Sequence, residues 1–409
     1  MKENWRPVAL LMFGVGWGAN QFASLLGLYT DQLHLGNGSA QAMFGVYALG
    51  LVPGLALGGP ASDRYGRRRV ALPSAAASAL VTVVLMTGAT APYLLYTGRF
   101  LAGIVTGAVL ASGTAWVKQI SPASGPRLTA LAVSAGFGAG PLTSALIAQW
   151  APAPLVSPYV PHLLIMLVAV PFALRVPEPA APAPPATTMD GSPPSSPAPM
   201  GPATDVRSRP APPPVRLAGI RHPAFRRKVL PTAIWTFTAP VTAFTILPAE
   251  APVTHWPIAY TGALTALTLA AGMAAQPIAR RLEAHHPRLV ALAGLGSVTI
   301  GLLFGALTAL THQPALNPLA AILLGAGYGF ILTYSLTEVA RIARPNELAA
   351  LTAVAYAFIY IGMFTPLVLT ELHHLAPLPA LLTAAAALTA LSTLPALRDR
   401  NPNTHSAAQ

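Results

Sequence analysis

Residues 59–69 read Gly59-Pro-Ala-Ser-Asp63-Arg64-Tyr-Gly66-Arg67-Arg68-Arg69, a polar turn between two apolar stretches. Its charges stand out because only 9% of the 409 residues are charged, whereas 54% are hydrophobic and the mean hydropathy is +0.56. Soluble domains carry about 25% charged residues, so this chain cannot cover a water-facing surface. The turn therefore joins two helices that cross a lipid bilayer.

The length of the apolar stretches predicts how often the chain crosses that bilayer. A spanning helix needs about 20 predominantly apolar residues, and twelve stretches meet this requirement. The first follows Lys2 and Arg6 and is too long for a signal peptide, so we interpret it as a retained helix. The predicted fold is an all-α membrane protein with spans at about 7–29, 39–61, 70–90, 94–117, 127–150, 156–174, 229–249, 257–278, 289–310, 316–338, 347–370 and 376–397.

The basic residues predict the orientation of these spans. If the amino terminus is cytoplasmic, all of the 24 Lys and Arg residues except Arg99 lie on the cytoplasmic side, as the positive-inside rule expects. The opposite loops carry the acids Asp31, Glu250 and Glu371. We therefore predict that both termini are cytoplasmic. Nucleic-acid binding is not expected, because the net charge of +12 is shared among many short loops and forms no single basic patch.

A proline-rich segment divides the chain into two halves. We predict a six-helix bundle at 1–175, a cytoplasmic linker at 176–228, a second six-helix bundle at 229–397 and a cytoplasmic tail at 398–409. The linker is a semi-rigid spacer, with a regulatory or partner-binding role as the alternative. Gly103 and Gly107 of span four align with Gly325 and Gly329 of span ten, which predicts parallel internal repeats.

The turn at 59–69 resembles the signature of the major facilitator superfamily, Gly-x-x-x-Asp-Arg-x-Gly-Arg-Arg, and the twelve spans extend the resemblance over nearly the whole chain. In that family the turn closes the cytoplasmic side while the transporter is open outward. The resemblance gives this gating role to Gly59, Asp63, Arg64, Gly66, Arg67 and Arg68. Gly59 would allow close helix approach, and Asp63 would bind a neighbouring helix end or Arg67. The corresponding turn of the second half, 276–283, has its charges in another order, so a second lock is not expected.

Arg99 is the exception to the charge rule, because it lies about five residues inside span four. An arginine at a helix centre costs about 2.5–3.5 kcal/mol, and intramembrane charges usually serve function. The spacing from Arg99 to Gly103 is similar to a second family motif, which is linked to proton transfer in proton-coupled members. We predict a coupling role for Arg99 with Asp31 as its partner. The alternatives are an arginine that snorkels to the interface and a solvated helix-end acid.

Span five contains Gly136-Phe-Gly-Ala-Gly140-Pro141, which resembles the Gly-x-x-x-Gly-Pro core of the motif found in drug–proton exchangers. The glycine pair that follows in that family is missing here. Plain helix packing, together with a proline kink, is therefore the alternative interpretation of this segment, and Gly103 and Gly107 belong to the same packing class.

The family implies a substrate cavity lined by spans one, four, seven and ten. Aromatic and neutral hydrogen-bonding side chains on these spans predict a cavity for a moderately apolar ligand. The candidate substrate-binding residues are Trp17, Asn20, Gln21, Ser24, Trp235, Thr238, Thr242, Thr245, Tyr328 and Tyr334.

The leading functional prediction is a secondary active transporter that exports small amphipathic molecules in exchange for protons. We expect a monomer without metal or cofactor in the plasma membrane of a bacterium, because the chain is rich in Ala, Pro and Arg. It lacks a Gly-x-x-x-x-Gly-Lys loop for ATP, any cysteine and any intramembrane cluster of catalytic residues, so an enzyme is not expected. The alternatives are a proton-independent facilitator or importer of a neutral metabolite, and a non-transporting membrane sensor.

Overall fold

The computed structural model describes residues 5–178, 218–344 and 347–398, and every regular element in these ranges is helical. Twelve helices are long and apolar enough to cross a membrane, so the prediction of an all-α protein with twelve spans is confirmed. They are α1 Arg6–Leu33, α2 Asn37–Tyr65, α3 Arg67–Thr87, α4 Tyr93–Ile120, α5 Arg127–Trp150, α6 Ser157–Leu174, α7 Phe225–Glu250, α8 Pro257–His285, α9 Pro287–Thr311, α10 Pro314–Ile342, α11 Ala350–Leu372 and α12 Leu378–Leu397.

Several helices extend beyond their predicted limits into the polar turns. Helix α2 continues to Tyr65, and α7 begins at Phe225, inside the predicted linker. The rest of that linker from 179 to 217, and residues 399–409 of the predicted tail, lie outside the described residues. We call the end of the bundle that holds the turn 64–69 the basic end, and the end that holds Asp31 and Glu250 the acidic end.

Helices α4 and α5 repeat in the second half with an offset of 222 residues, the difference between Gly103 and Gly325. Adding 222 to the bounds of α4 gives 315–342, against Pro314–Ile342 for α10. The same addition to α5 gives 349–372, against Ala350–Leu372 for α11. Helices α2 and α8 are related by an offset of 220 at both ends. The halves are thus built on one helical repeat, as expected for transporters with parallel repeats.

The first helix of each half is irregular near its middle. Helix α1 is interrupted by a 3₁₀ turn at Ala23–Leu25, and α7 contains π turns at Phe225–Val229 and Thr242–Ile246. Each π turn contains the residue four positions before a proline, Pro231 or Pro248, where the ring would clash with a regular helical carbonyl. Broken helices of this kind are typical of the substrate region of transporters.

Glycines set the helix packing within each half. An added Cβ at Gly103 or Gly107 of α4 would meet the backbone of α2, and one at Gly325 would meet the Thr268 carbonyl of α8. Gly50 of α2 packs in return on the backbone of α4 at Phe100. Small residues let membrane helices approach this closely. The two halves meet where α2 packs on α11 and α5 packs on α8.

Candidate substrate and coupling site

The turn at the basic end is held by local contacts. Gly66 has φ +107°, a conformation that side-chain-bearing residues rarely adopt, so a glycine is needed here. Arg67 forms an ion pair with Asp63 one helical turn earlier and donates from Nη1 to Ser62 Oγ at 2.6 Å. The Asp63 side chain is 64% exposed. The turn is therefore ordered mainly by its own residues.

The same turn is fastened to the end of α6. The backbone N–H of Arg68 donates to both carboxylate oxygens of Glu178, at 3.2 and 3.1 Å, and its Nη2 donates to the Leu174 carbonyl at 2.7 Å. The expected close approach at Gly59 is not made, because a Cβ there would meet no atom within 4 Å. Arg64 stacks on the adjacent Tyr65. In the described structure these contacts join elements of the first half.

The second half has an ionic cluster at its basic end that the sequence did not predict. Arg341 of α10 forms ion pairs with Glu283 of α8 at 2.6 Å and with Glu338 of its own helix at 2.8 Å. Both acids are buried, at 8% and 6% exposure. The second half therefore has ion pairs at this turn, and the expectation that the turn does not act as a second lock stays a prediction. The order of the charged residues in the turn 276–283 could not predict these ion pairs, because the partners come from α8 and α10, which are far apart in the sequence.

Arg99 lies inside the first half and does not reach the interface, so the snorkelling alternative is wrong. It is 1% exposed, donating from Nη1 to the Ala19 carbonyl at 3.0 Å and from Nε to the Met43 carbonyl at 3.4 Å. Its guanidinium lies 4.6 Å from the Phe22 ring centroid and 4.4 Å from that of Tyr47. Backbone oxygens and ring faces therefore stabilise the buried charge.

The expected ion pair between Arg99 and Asp31 is not formed. Asp31 is exposed at the acidic end, where it lines a cleft, and no carboxylate in the described ranges pairs with Arg99. Asp31 follows the 3₁₀ break of α1 by more than a turn, which carries it out of reach. A coupling role for either residue remains a prediction.

Aromatic side chains extend from Arg99 across the boundary between the halves. Phe44 stands 5.9 Å from Phe244 of α7, and Tyr47 shares a buried cluster with Tyr360 of α11. In the second half Phe237 stacks on Tyr360 at 4.9 Å, and further rings continue the row. We call this set the aromatic seam; its members are Phe22, Phe44, Tyr47, Phe237, Tyr328, Tyr356 and Tyr360.

A cleft of about 430 Å³ opens at the acidic end, directly beyond the seam. Phe244 lines it and contacts Phe44 of the seam. Polar groups from both halves face this space, and they include Ser24, Asp31, Gln41, Thr245, Glu250 and Tyr260. Its volume is in the range of small-molecule sites.

Five of the predicted substrate residues lie at or near the boundary between the halves. Ser24 and Thr245 line the cleft, and Tyr328 belongs to the aromatic seam. Asn20 donates to the Phe137 carbonyl of α5 at 3.0 Å. Thr238 bonds to Thr365 of α11 at 2.8 Å, so its hydroxyl is occupied.

The other five predicted substrate residues are buried within their own half. Trp17 packs on α5, and Gln21 donates to Thr82 of α3 at 3.3 Å. Trp235 donates to Ser392 of α12 at 3.0 Å, and Tyr334 belongs to a core cluster with Ala279 and Val290. Thr242 is fully buried in α7. The prediction that these side chains line one cavity is not met by their positions.

The segment Gly136 to Pro141 lies where three helices meet. Gly136 and Gly140 pack on the backbone of α1 at Trp17, and Gly262 of α8 packs on Ala145 and the Pro141 carbonyl. That carbonyl also accepts a hydrogen bond from Ser24 at 2.8 Å. The segment thus joins α1 to the contact between the halves.

Sequence reasoning missed most of the aromatic seam because it considered spans one, four, seven and ten. Phe44, Tyr47, Tyr356 and Tyr360 lie on α2 and α11, the helices that pack across the boundary. The available signal was the spacing of aromatic residues by three or four positions on one helix face. In the described part of the chain no three His, Asp or Glu side chains group as metal ligands.

Comparisons with known proteins agree with this architecture. The family model for the Major Facilitator Superfamily matches residues 8–398. The 3-(3-hydroxy-phenyl)propionate transporter of Escherichia coli (strain K12) is 34% identical over 106 residues, which is 26% of this chain and 25% of that protein. The chain therefore spans about a quarter of the length of this curated relative in the match.

Solved transporters share the fold along the whole chain. A POT family transporter in complex with a thioalcohol-conjugated peptide superposes with a TM-score of 0.73, at 12% identity, covering 96% of this chain and 95% of that one. The nucleoside transporter NupG gives a TM-score of 0.70 at 12% identity, covering 97% and 98%. A D-xylose–proton symporter gives 0.65 at 14% identity, covering 97% and 96%. At these identities the likeness concerns the fold.

Proposed function

The chain belongs to the Major Facilitator Superfamily and is a transporter, not an enzyme, and from this we propose that it moves small amphipathic aromatic acids together with protons by alternating access. The observation that carries the proposal is the buried guanidinium of Arg99 beside the aromatic seam, which has no carboxylate partner among the described residues. The halves would rock about the contacts α2–α11 and α5–α8, exposing the seam to one side at a time.

The charge of Arg99 supports an anionic substrate. A buried charge without an ionic partner is costly, and an incoming carboxylate would supply the partner that the described chain does not. The rings of the seam would accept the apolar part of the same molecule. The curated relative is named as a transporter of 3-(3-hydroxy-phenyl)propionate, an aromatic carboxylate, which supports this class of substrate.

The charge balance supports cotransport with a proton. An anion that moves alone out of a negative cytoplasm gains about 2.3 kcal/mol per 100 mV, and the same amount opposes its uptake. A proton carried with the anion cancels this cost, so uptake becomes electroneutral. The cleft at the acidic end, which would face outward in the orientation that we propose, supports binding from outside.

Export in exchange for protons is the second candidate. It is favoured by the resemblance of Gly136 to Pro141 to the exchanger motif, and by the position of this segment at the joint of α1, α5 and α8. The broad class of small amphipathic substrates is the same in both candidates. They differ in the sign of the proton flux that substrate addition produces.

The proposed location is the plasma membrane of a bacterium, with both termini cytoplasmic and the protein acting as a monomer. The distribution of Lys and Arg supports the orientation, because all of them except Arg99 fall toward the basic end in the predicted topology. The 39 residues from 179 to 217 would then join the halves on the cytoplasmic side as a spacer.

The test is proton flux in proteoliposomes that contain a pH-sensitive dye. The probes are 3-(3-hydroxy-phenyl)propionate, the amphipathic cation tetraphenylphosphonium and a neutral aromatic alcohol, each added outside. Internal acidification with the acid, above that in protein-free liposomes and absent in Arg99→Gln, supports cotransport. Alkalinisation in the same arrangement would support exchange. Substrate movement that equilibrates without a proton signal would overturn proton coupling and leave a facilitator.

The control variant is Arg175→Gln, which removes an exposed arginine of the basic end. Arg175 stacks on Phe172 and belongs neither to the turn 59–69 nor to the seam. Equal loss of flux in Arg175→Gln and Arg99→Gln would mean that general charge, and not the seam, determines transport.

A further inference from the structure

A second buried polar cluster lies in the first half, between α1, α3 and α6. His162 of α6 is fully buried, and its ring packs against Gly18 of α1, where no side chain could fit. Its Nδ1 is 2.7 Å from the Thr82 hydroxyl of α3. The same hydroxyl accepts a hydrogen bond from Gln21 Nε2 at 3.3 Å. Thr82 thus connects His162 with α1.

Two polar atoms of this cluster have unused hydrogen-bonding capacity. Among the described residues, His162 Nε2 and Gln21 Oε1 are buried without a hydrogen-bond partner. A small cavity of about 10 Å³ borders His162, Thr82 and Ala19, which is the lower limit for one water molecule. Buried polar atoms are nearly always paired, so this cluster is built to take up one more hydrogen-bonding partner or one more proton.

The cluster is attached to the break in α1 and to the Arg99 site. Regular helix ends at Asn20, Gln21 follows, and the 3₁₀ turn begins at Ala23. Ala19, whose carbonyl accepts from Arg99, also borders the small cavity. A change in the hydrogen bonds of His162 therefore acts on the one segment of α1 that is not regular helix and that contacts Arg99.

The groups that face His162 leave it as the titratable centre of the cluster. Helix α1 presents Gly14, Gly18 and Gln21 to α6, and α3 presents Thr82 and Ser78, all of them neutral. Of the charged residues of these two helices, Arg6 on α1 and Arg67, Arg68 and Arg69 on α3 lie at the basic end, and Asp31 of α1 is exposed at the acidic end. On its own helix Tyr159 is one turn away, bonded to Tyr29, and Arg99 is the nearest charge on α4 that borders the site through Ala19.

We propose that His162 binds and releases the proton that is coupled to movement of α1. In the neutral ring Nδ1–H donates to the Thr82 hydroxyl oxygen, and Nε2 carries no proton. An added proton binds at Nε2 and makes both ring nitrogens donors, so the new Nε2–H needs an acceptor. Gln21 Oε1 is the available acceptor, and its movement shifts the break of α1. The proton stays on the imidazole until the change reverses.

The consequence for transport rests on the proposed function. A second positive charge near Arg99 is unfavourable, and a bound carboxylate removes this repulsion. Substrate and proton therefore bind with positive cooperativity, which is the condition for cotransport.

The test measures a pH-dependent change of conformation and therefore needs no substrate. Because the sequence contains no cysteine, two introduced cysteines can be labelled specifically. Gln32→Cys and Thr254→Cys are exposed positions on opposite sides of the cleft, one in each half. Spin labels on this pair report the distance between the halves by pulsed electron paramagnetic resonance at pH values from 3.5 to 8. We expect the distance distribution to change with pH in the otherwise native protein and to be independent of pH in His162→Gln.

A matched control is His374→Gln, which removes an exposed histidine of the acidic end and leaves the pH response intact. Thr82→Val keeps the shape of Thr82 and shifts the midpoint of the response by about one pH unit, and it serves where His162→Gln does not fold. A pH response that persists in His162→Gln, or that is absent from the native pair, overturns the inference.

Proteoliposomes separate this inference from the proposed function. If native protein shows substrate-triggered proton flux and His162→Gln shows the same flux per substrate, the function stands and the role of His162 fails. Loss of proton-driven accumulation in His162→Gln, with substrate exchange at equal concentrations retained, is the expected result.

Discussion

The two halves share one scaffold but carry different chemistry. The offset of 222 places Gly103 on Gly325, Gly107 on Gly329 and Gly140 on Gly362. All six of these glycines pack against the backbone of a neighbouring helix. The same offset places Arg99 on Ala321 and His162 on Ala384. The repeat preserves the contacts that build a six-helix bundle, whereas the buried Arg99 and His162 of the first half have alanine at the equivalent positions of the second.

The second half concentrates its charge at the basic end. At the offset of 222 that relates α10 to α4, Arg341 and Glu338 fall on Gln119 and Trp116, so the α10 part of this ionic cluster has no counterpart in the first half. Under the proposed function the two halves would divide the work: the first half would bind the transported charges, and the second half would supply rings and a basic-end contact.

The largest expected effect tests the shared scaffold. Gly103→Val and Gly325→Val should each lower the free energy of unfolding by about 3 kcal/mol, because the added side chain meets helix backbone that cannot move aside. Thermal unfolding of the purified variants measures this. Gly138→Val and Gly296→Val are the matched controls, since an added Cβ at either position meets nothing within 4 Å. Unequal losses in the free energy of unfolding would contradict the conclusion that the two halves share the same glycine packing.

The next effect tests the division of chemistry. Arg99→Gln should reduce substrate flux by about 100-fold, because a lost charged hydrogen bond costs about 1.5–3 kcal/mol. Arg341→Gln should reduce it by less than about 10-fold, since its side chain is 44% exposed and its ion pairs are partly screened. Initial rates in proteoliposomes at equal protein density give the ratio. A larger loss for Arg341→Gln would reverse the assignment of the halves.

A smaller effect concerns the aromatic seam. Tyr360→Leu should weaken binding of an aromatic acid by about fivefold, because an aromatic contact contributes about 0.5–1.5 kcal/mol beyond its buried area. Tyr334→Phe should leave binding unchanged, since Tyr334 lies in a core cluster away from the seam. Competition binding on purified protein distinguishes the two. A stronger effect of Tyr334→Phe would contradict the proposal that the aromatic seam contacts the ligand.

The smallest expected effect compares the two basic-end contacts. Asp63→Asn should change the free energy of unfolding by less than about 0.5 kcal/mol, as expected for an exposed ion pair. Glu338→Gln should cost about 1 kcal/mol, because its carboxylate is buried beside Arg341. Chemical denaturation in detergent gives the change in the free energy of unfolding for each variant. Equal changes would show that burial does not determine the strength of these two contacts.

The fold was predictable because its signals are local. Twelve apolar stretches, the basic turns and the spacing from Gly103 to Gly107 each follow from short segments of sequence. The rotation of each helix was not predictable. The π turns of α7 each insert an extra residue, which turns the following side chains by about 100°. Trp235 consequently faces Ser392 of α12 and does not face the seam.

The site was only partly predictable for the same reason. Arg99 stood out because it breaks the charge rule, but its partners are backbone carbonyls, which leave no mark in a sequence. Tyr356 and Tyr360 gain their significance only when α11 packs on α2. Arg341 and Glu283 are far apart in the chain and meet only in the folded second half.

The central claim is that the first half recognises an aromatic acid through Arg99, and ligand-induced thermal stabilisation of the purified protein tests it most directly. The probes are 3-phenylpropionate, 3-(3-hydroxy-phenyl)propionate and the matching neutral amides, each with native protein and with Arg99→Gln. We predict that at least one carboxylate raises the melting temperature of the native protein, and that its amide and the variant give no shift. Equal stabilisation by acid and amide, an undiminished shift in Arg99→Gln, or no shift with any acid would contradict the account.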